Sequence, residues 1–397
     1  MRDGWKEISL EDLETSGVIK LGRGDVISKK DMEADPGPNP VYSSAENKNG
    51  MIGKYAKFMF DEELITWSVD GGGHIFYRPK HKFSVTNIGG WLRILDDTVF
   101  SYQFLTYALQ RLHKQHSFDW QHKAHPSVIR KLYTRIPLPS LPEQKRIVDL
   151  VSSVDSYIAA LKQQLESTKK SRKAVLRELL TAGGTGWEES TLGDLISHSI
   201  GGIWGEEQGG AEVDVPVYRQ TEFSDSGILT TPAEAIRSVS KSQLKNRTLQ
   251  EGDILIQKSA GTPNLPGRVV SVPNLNGEVA TFSNFLNLLR PDTLKCIPRL
   301  AFLIFWDKHQ DGRAFQYQRG TNIKNLDLPS YLLETILIPS APDQKRIVEL
   351  ISTFDDFLAH TNHSISLFEN LRSGLLSDLL SGNHEIPSTY EKVMSAI

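Results

Sequence analysis

Four histidines, His113, His116, His122 and His125, crowd one short stretch, and imidazole is a common metal ligand. Their spacing brings no cysteine or acidic partner that would complete a metal set, so a basic loop touching phosphate is the alternative reading. Asp35 followed by Glu46, Asn47 and Lys48 has the residue types of a metal-dependent nuclease, in which two acids hold a cation and a lysine steadies the attacking water. A solvated polar loop supplies the same types without catalysis. The chain has no Asn/Asp-Pro-Pro-aromatic run to receive a flipped base and no Gly-x-x-x-x-Gly-Lys-Ser/Thr loop for a nucleotide. Its one cysteine, Cys296, excludes a disulfide framework. These residues predict no catalytic site, no metal and no cofactor.

The elements that would position any site are organised by a repeat. Pro137 to Gly183 recurs 200 residues later, with Pro139 and Pro339, Pro142 and Pro342, Asp155 and Asp355, and an identical Gln-Lys-Arg-Ile-Val run beginning at Gln144 and at Gln344. Pro142 and Pro342 fit a helix's first turn, Glu143 and Asp343 suit its positive end, and Gly183 and Gly382 mark its stop. Each copy predicts a helix of about 40 residues, roughly 60 Å long at 1.5 Å per residue.

A heptad seam runs along both helices. In the first it is Ile147, Val151, Val154, Ile158, Leu161, Leu165, Thr168, Arg172, Val175 and Leu179. In the second it is Ile347, Ile351, Phe354, Leu358, Thr361, Ile365, Phe368, Arg372, Leu375 and Leu379. This pattern belongs to a coiled coil, and the matching seam arginines, Arg172 and Arg372, point to the two helices pairing with each other, antiparallel and pseudo-twofold.

The repeat also reaches the globular segments, since Gly4-Trp5 through Leu13 recurs as Gly186-Trp187 through Leu195, 182 residues apart. The expected division is residues 1–136, a globular domain; 137–183, a helix; 184–336, a second globular domain; 337–382, a second helix; and 383–397, a tail. Leu64 to Val69, His74 to Tyr77 and Asp253 to Gln257 read as short strands, Tyr102 to His113 and Arg299 to Gln310 as helices, and Leu132 to Leu138 and Leu333 to Ile338 as closing strands. The fold class is α+β: two globular α/β domains alternating with two long helices. The domain interiors barely match while their edges match well, the pattern of a common frame carrying two different surfaces.

Composition sets further bounds. Net charge is −3 and the sequence pI about 6.4, which argues against holding nucleic acid by bulk electrostatics. Apolar runs fall short of a membrane span and the N-terminal residues are unlike a targeting peptide, so a soluble cytoplasmic protein is expected.

The order of domain and helix, the Gly-Trp starts and the Leu-Pro-x-x-Pro-Glu/Asp-Gln-Lys-Arg-Ile-Val helix openings together resemble the specificity subunit of type I restriction-modification enzymes. Gly24 to Ser28, Pro40 to Ser44, Asn49-Gly50, Pro216 to Arg219 and Leu249 to Ile256 resemble that family's target recognition domains. The nearest counterpart to Glu251 through Leu255 in the first half is Phe60 through Ile65. The resemblance implies two target recognition domains, each reading half of a split asymmetric site on double-stranded DNA. It implies helices that act as spacer and as dock for two methyltransferase subunits, with restriction and translocase subunits as further partners and no membrane. A rival reading is a coiled-coil scaffold that binds only proteins.

If DNA is read, arginine and lysine suit guanine, and asparagine and glutamine suit adenine, while other contacts fix position on phosphate. In the first domain the candidates are Tyr42, Ser43, Ser44, Asn47, Lys48 and Asn49, then Gly72 and His74 in a glycine run that lets backbone approach closely, with Lys123 and Arg130 for phosphate. In the second they are Arg219, Gln220 and Thr221; Gln257 and Lys258; and Arg319, Thr321, Asn322 and Lys324. Helices of this length predict half-sites separated by unread base pairs.

Overall fold

The computed structural model describes residues 5–44, 47–70, 74–118, 122–262, 264–384, 386–387 and 390, with backbone alone at 47 and 48. It forms two compact units, one comprising residues 1–162 and 363–397, the other 163–362. Each unit therefore joins a globular segment to the first half of the helix that follows it and the second half of the other helix.

The first unit runs β1 (Lys6–Ile8), α1 (Leu10–Thr15), β2 (Ile19–Arg23), α2 (Lys29–Ala34), β3 (Asn39–Tyr42), β4 (Met51–Tyr55), β5 (Phe60–Ser68), β6 (Ile75–Val85), β7 (Gly89–Ile94), α3 (Tyr102–His113), α4 (Pro126–Leu132), β8 (Ile136–Leu138) and the start of α5 (Leu141–Thr181). Six strands form one sheet in the order β2-β7-β5-β6-β3-β4, antiparallel except where β3 joins β6, and β1 pairs with β8. Trp67 on β5 faces Gly90 on β7, and a Cβ at Gly90 would fall 2.2 Å from the indole, so only glycine lets the ring lie across its neighbour. Behind this sheet, Phe104, Leu105, Ala108 and Leu109 of α3 share a core with Ile65 and Trp67, completed by Ile147 and Val151 of α5 and by Leu376, Leu379 and Leu380 of the second long helix.

The second unit runs β9 (Glu188–Thr191), β10 (Ile196–Gly201), β11 (Val213–Tyr218), β12 (Ile236–Val239), α6 (Lys241–Lys245), β13 (Ile254–Gln257), β14 (Ser259–Ala260), β15 (Val269–Ser271), β16 (Thr281–Phe282), β17 (Leu286–Pro291), α7 (Pro298–Gln310), β18 (Gln318–Arg319), β19 (Lys324–Leu326), α8 (Leu328–Leu332), β20 (Thr335–Ile338) and the start of α9 (Ala341–Ser381). Its main sheet has the order β10-β17-β13-β15, and β9 pairs with β20. Strand for strand this repeats β2-β7-β5-β6, so β5 occupies the place of β13, although Phe60 through Ile65 lie within β5 whereas Glu251 to Asp253 precede β13. The remaining strands form two small sheets, β12-β11-β16 and β14-β19-β18.

Two expectations need correction. Leu132 ends α4 instead of opening a strand, because Pro126 at a first helical position starts a short helix there; β8 begins only at Ile136. Leu333 and Glu334 likewise precede β20, with Leu333 closing α8.

The repeated motif seats each helix on its own domain. Gln144 accepts a hydrogen bond from Ser101 N (2.9 Å) and donates to Val99 O (2.8 Å) and Pro139 O (3.1 Å). Gln344 accepts from Ile297 N (2.9 Å) and donates to Lys295 O (3.0 Å) and Pro339 O (3.1 Å). The indole of Trp5 donates to Glu143 (3.0 Å) and that of Trp187 to Asp343 (2.8 Å). Ile147 and Ile347 are buried in their unit's core.

Every seam position named above is buried or half-buried, and between Ile158 and Arg172 the only residues withdrawn from solvent are Ile158, Leu161, Leu165, Thr168 and Arg172. In the first unit Asp155 meets Arg372 and Tyr157 packs edge-on against Phe368 at 4.6 Å, so the two helix segments there run antiparallel. In the second, Arg172 donates to Asp355 (2.6 Å) while Leu176 shares a core with Ile347 and Ile351, again antiparallel. The seam arginines are thus not lone polar residues, since each meets the aspartate repeated on the opposite helix. Among the described residues no helix is long and apolar enough to cross a membrane.

Candidate nucleic-acid interface

In the second unit a hairpin, β18 and β19, meets the distant strand β14 in the sheet β14-β19-β18. Arg319 faces Asn325 across one pair of strands, and Asn325 faces Ser259 across the next, so the three side chains form a row on one face. Ser259 donates to Asn325 Oδ1 (2.5 Å), which fixes the orientation of that amide. Arg319 and Asn325 are exposed, as are Lys258, Thr321 and Asn322. The turn between β18 and β19 depends on Gly320, whose φ is +100° and where a Cβ would meet Ile323 O at 2.3 Å. Lys324 braces the same turn by donating to Gly320 O (2.6 Å). Gln257 is buried and donates to Ser259 O (3.2 Å), a support beneath the row instead of a member of it. Lys258 N donates to Phe285 O, which places exposed Phe285 beside this strand, and exposed Ile323 tips the turn.

Arg219, Gln220 and Thr221 stand apart at the end of β11. Arg219 is held by Glu222 (3.1 Å) and Glu234 (2.6 Å), and its hydrogen bonds to Glu222 raise its pKa further. Gln220 is half-buried and Thr221 exposed.

In the first unit β3 ends at Tyr42 and a 3-10 turn spans Asn47–Gly50, and the two are tied where Ser43 N donates to Gly50 O (2.8 Å) and Thr86 donates to the hydroxyl of buried Ser43 (2.8 Å). Their anchor is Arg78, a buried cation on β6 whose guanidinium lies 3.6 Å from the ring centre of Tyr42 and 4.6 Å from that of Phe76. Arg78 donates to Thr66 (2.8 Å) and to Asn49 O (2.7 Å), and burial lowers its pKa to about 10. Tyr42 also meets His81 through its hydroxyl (3.1 Å). Ser44 is half-buried and Asn49 exposed at φ +53°. The side chains of Asn47 and Lys48, and Gly72 altogether, lie outside the described residues, as does Glu46. His74 is exposed and stacks on Phe76. Lys123 pairs with Asp70 (3.0 Å) and Arg130 with Glu14 (2.6 Å).

Some groups escaped the sequence reading. Lys82 extends over the exposed ring of Phe58 (4.7 Å) and Lys57 over Tyr55 (6.0 Å), both exposed cations near the β4–β5 turn. Two of the four histidines take structural places: His113 is buried against Phe118 and hydrogen-bonded to Tyr133, and His125 caps α4 by accepting from Ser127 N. Among the described residues no three His, Cys, Asp or Glu side chains come together as metal ligands would.

Chemically, each unit offers exposed polar side chains on a loop or short sheet, held from below by buried hydrogen bonds. The family described as Type I restriction modification DNA specificity domain matches residues 2–169 and 184–367. The chain belongs to that family. The two matched stretches are the two halves of the duplication, each reaching well into its long helix. A putative type I specificity subunit of Mycoplasma pneumoniae is 31% identical over 173 residues, 43% of this chain and 56% of that protein. The StySPI specificity subunit of Salmonella potsdam is 25% identical over 295 residues, 65% of this chain and 63% of that one. These alignments span just over half of the curated relatives' own length. The crystal structure of a type I restriction-modification S subunit from M. genitalium aligns over 98% of both chains with a TM-score of 0.54 at 15% identity. A chain from a structural study of complex assembly and conformational transition in the type I system aligns over 96% of this chain and 98% of that one, with a TM-score of 0.57 at 16% identity. The likeness extends to the fold along the whole chain, domains and long helices together.

Proposed function

We propose that this chain is the DNA-recognition subunit of a type I restriction-modification complex, with each unit reading one half of a bipartite, asymmetric site. The observation that carries the reading is a family match to both halves of a duplication whose frames share strand order and helix seating but whose exposed loops differ. The chain itself catalyses nothing; methyl transfer and cleavage belong to partner subunits, two methyltransferases and the restriction and translocase subunits, and the whole works in the cytoplasm. Reading in the second unit falls to Arg319 and Asn325, with Thr321, Asn322 and Lys258 around them. In the first it falls to the turn through Asn49 that Arg78 holds, with Lys57 and Lys82 on phosphate. A chain with net charge −3 needs its partners for much of the phosphate contact.

The test is exchange of one reader. Residues 184–336 are replaced by the corresponding segment of another family member, and the methylated motif is determined by sequencing DNA from cells that make the complex. One half of the motif should change and the other persist. An unchanged motif would refute the assignment of reading to the second unit.

A further inference from the structure

The turn between β18 and β19 presents an apolar side chain on the same face as the row of Arg319 and Asn325. Exposure alternates along the strand, with Ile323 and Asn325 exposed, Lys324 half-buried and Leu326 buried, so Ile323 and Asn325 point the same way two residues apart. A single exposed isoleucine is ordinary on a protein surface, and exposure alone assigns it nothing. Ile323, however, sits on a braced turn. Its carbonyl is drawn in against Gly320, where φ is +100° and a Cβ would come within 2.3 Å of Ile323 O, and Lys324 closes the turn by donating to Gly320 O (2.6 Å).

Asn325 has a definite remainder of hydrogen-bonding capacity. Its Oδ1 accepts from Ser259 (2.5 Å) and its Nδ2 donates to Ile323 O (3.5 Å), which together fix the way the amide faces. An amide carries two lone pairs on oxygen and two N–H groups, so one acceptor and one donor stay free on this exposed side chain. The major-groove edge of adenine, with its N7 acceptor and N6 amino donor, takes up that remainder in full. Guanine offers two acceptors there, cytosine a donor alone and thymine an acceptor alone. A two-stranded ribbon fits the major groove, about 12 Å wide, and the major groove also displays the 5-methyl group of thymine. Two residues along a strand span about 6.6 Å, close to two base-pair steps of about 3.4 Å.

We propose that the β18–β19 ribbon enters the major groove and reads A·T pairs with its tip: Asn325 pairs with the N7 and N6 edge of an adenine, and Ile323 packs on the 5-methyl group of a thymine within about two base pairs of it. This rests on the recognition-subunit reading and adds to it the bases that the tip selects. Asn325 rejects guanine, whose O6 would face the amide oxygen, and Ile323 loses its contact where cytosine replaces thymine.

The test uses the full chain assembled with its methyltransferase subunit, and duplexes carrying the motif that the complex methylates, with one half assigned to the second unit by the exchange of residues 184–336. In that half each adenine is replaced in turn by 7-deazaadenine, which lacks the N7 acceptor, and each thymine by uracil, which lacks the methyl group. Affinities are compared for wild type, Ile323→Ala and Asn325→Ala; both substitutions are at exposed positions, and circular dichroism melting checks that the variants fold. Wild type should lose about tenfold at one adenine and about fourfold, the worth of one buried methyl group, at one thymine about two base pairs away or nearer. Asn325→Ala should be indifferent to that 7-deazaadenine and Ile323→Ala to that uracil. A half-motif without A·T pairs, a wild type insensitive to either analogue, or analogue losses that persist in the matching variants overturn the proposal, and preference for the intact motif over a scrambled duplex then leaves the recognition reading standing. A wild-type complex without that preference overturns both.

Discussion

At the scale of residues, the proposed interface separates groups that read from groups that hold. Arg319 has its guanidinium exposed on a row whose neighbour, Asn325, is fixed by Ser259. Loss of one base-reading contact costs about 1–3 kcal/mol, and loss of a phosphate contact weakens all sequences alike. Arg319→Ala should therefore relax one base position, whereas Lys82→Ala should lower affinity uniformly and flatten the salt dependence by about one charge. Competition binding of the assembled complex against sites varied one base pair at a time separates the two outcomes; equal loss at every position for Arg319→Ala would remove it from the reading set. These residues were unevenly legible in the sequence. Lys258 and Arg319 stand out in polar loops, but Asn325 joins them only through strand pairing between segments some 65 residues apart, which no local pattern announces. Arg78 carries no local sequence signal. Its role depends on the rings of Tyr42 and Phe76 closing over it, which is a tertiary fact.

At the scale of elements, the heptad was readable because its period is local and its burial repeats every seven residues. The small sheets of the domains were not, since β14, β16 and β18 are each two residues long, and β14 and β16 exist only because a distant partner supplies their hydrogen bonds. The seam carries a swapped pair of ion bridges: Arg172 with Asp355, where the arginine side chain is 10% exposed, and Arg372 with Asp155, where it is 25% exposed. Tyr107 adds its hydroxyl to Asp155 and Arg299 its guanidinium to Asp355, so both aspartates are bound to their own domain as well as to the opposite helix. Removing one partner of a buried pair strands the other, at a cost of several kcal/mol, reduced here because both aspartates are partly exposed. Arg172→Asp should lower the thermal midpoint by an amount equivalent to about 1–3 kcal/mol, more than Arg372→Asp does. Adding Asp355→Arg should recover part of the loss. A double variant no better than the single would show that repulsion from Arg299, which also meets Asp355, outweighs the restored pair.

At the scale of the whole molecule, the proposed function makes the paired helices a spacer between two half-sites. If the paired helices set the interval between half-sites, lengthening them must lengthen the unread DNA, at 1.5 Å per helical residue against about 3.4 Å per base pair. The seam constrains how this can be done. Seven residues inserted at matching points of both helices preserve the heptad and add about 10 Å, or roughly three base pairs. Four residues inserted into one helix alone, near one turn, displace every downstream seam residue against its partner and carry Arg172 away from Asp355 or Arg372 away from Asp155. The sevenfold double insertion should keep both half-motifs and widen the spacer between them, while the single four-residue insertion should shift the spacer or abolish methylation. Motif determination by sequencing of methylated DNA reads all of these outcomes. An unchanged spacer with both half-motifs intact would mean that the interval is set by the partners and not by the helices.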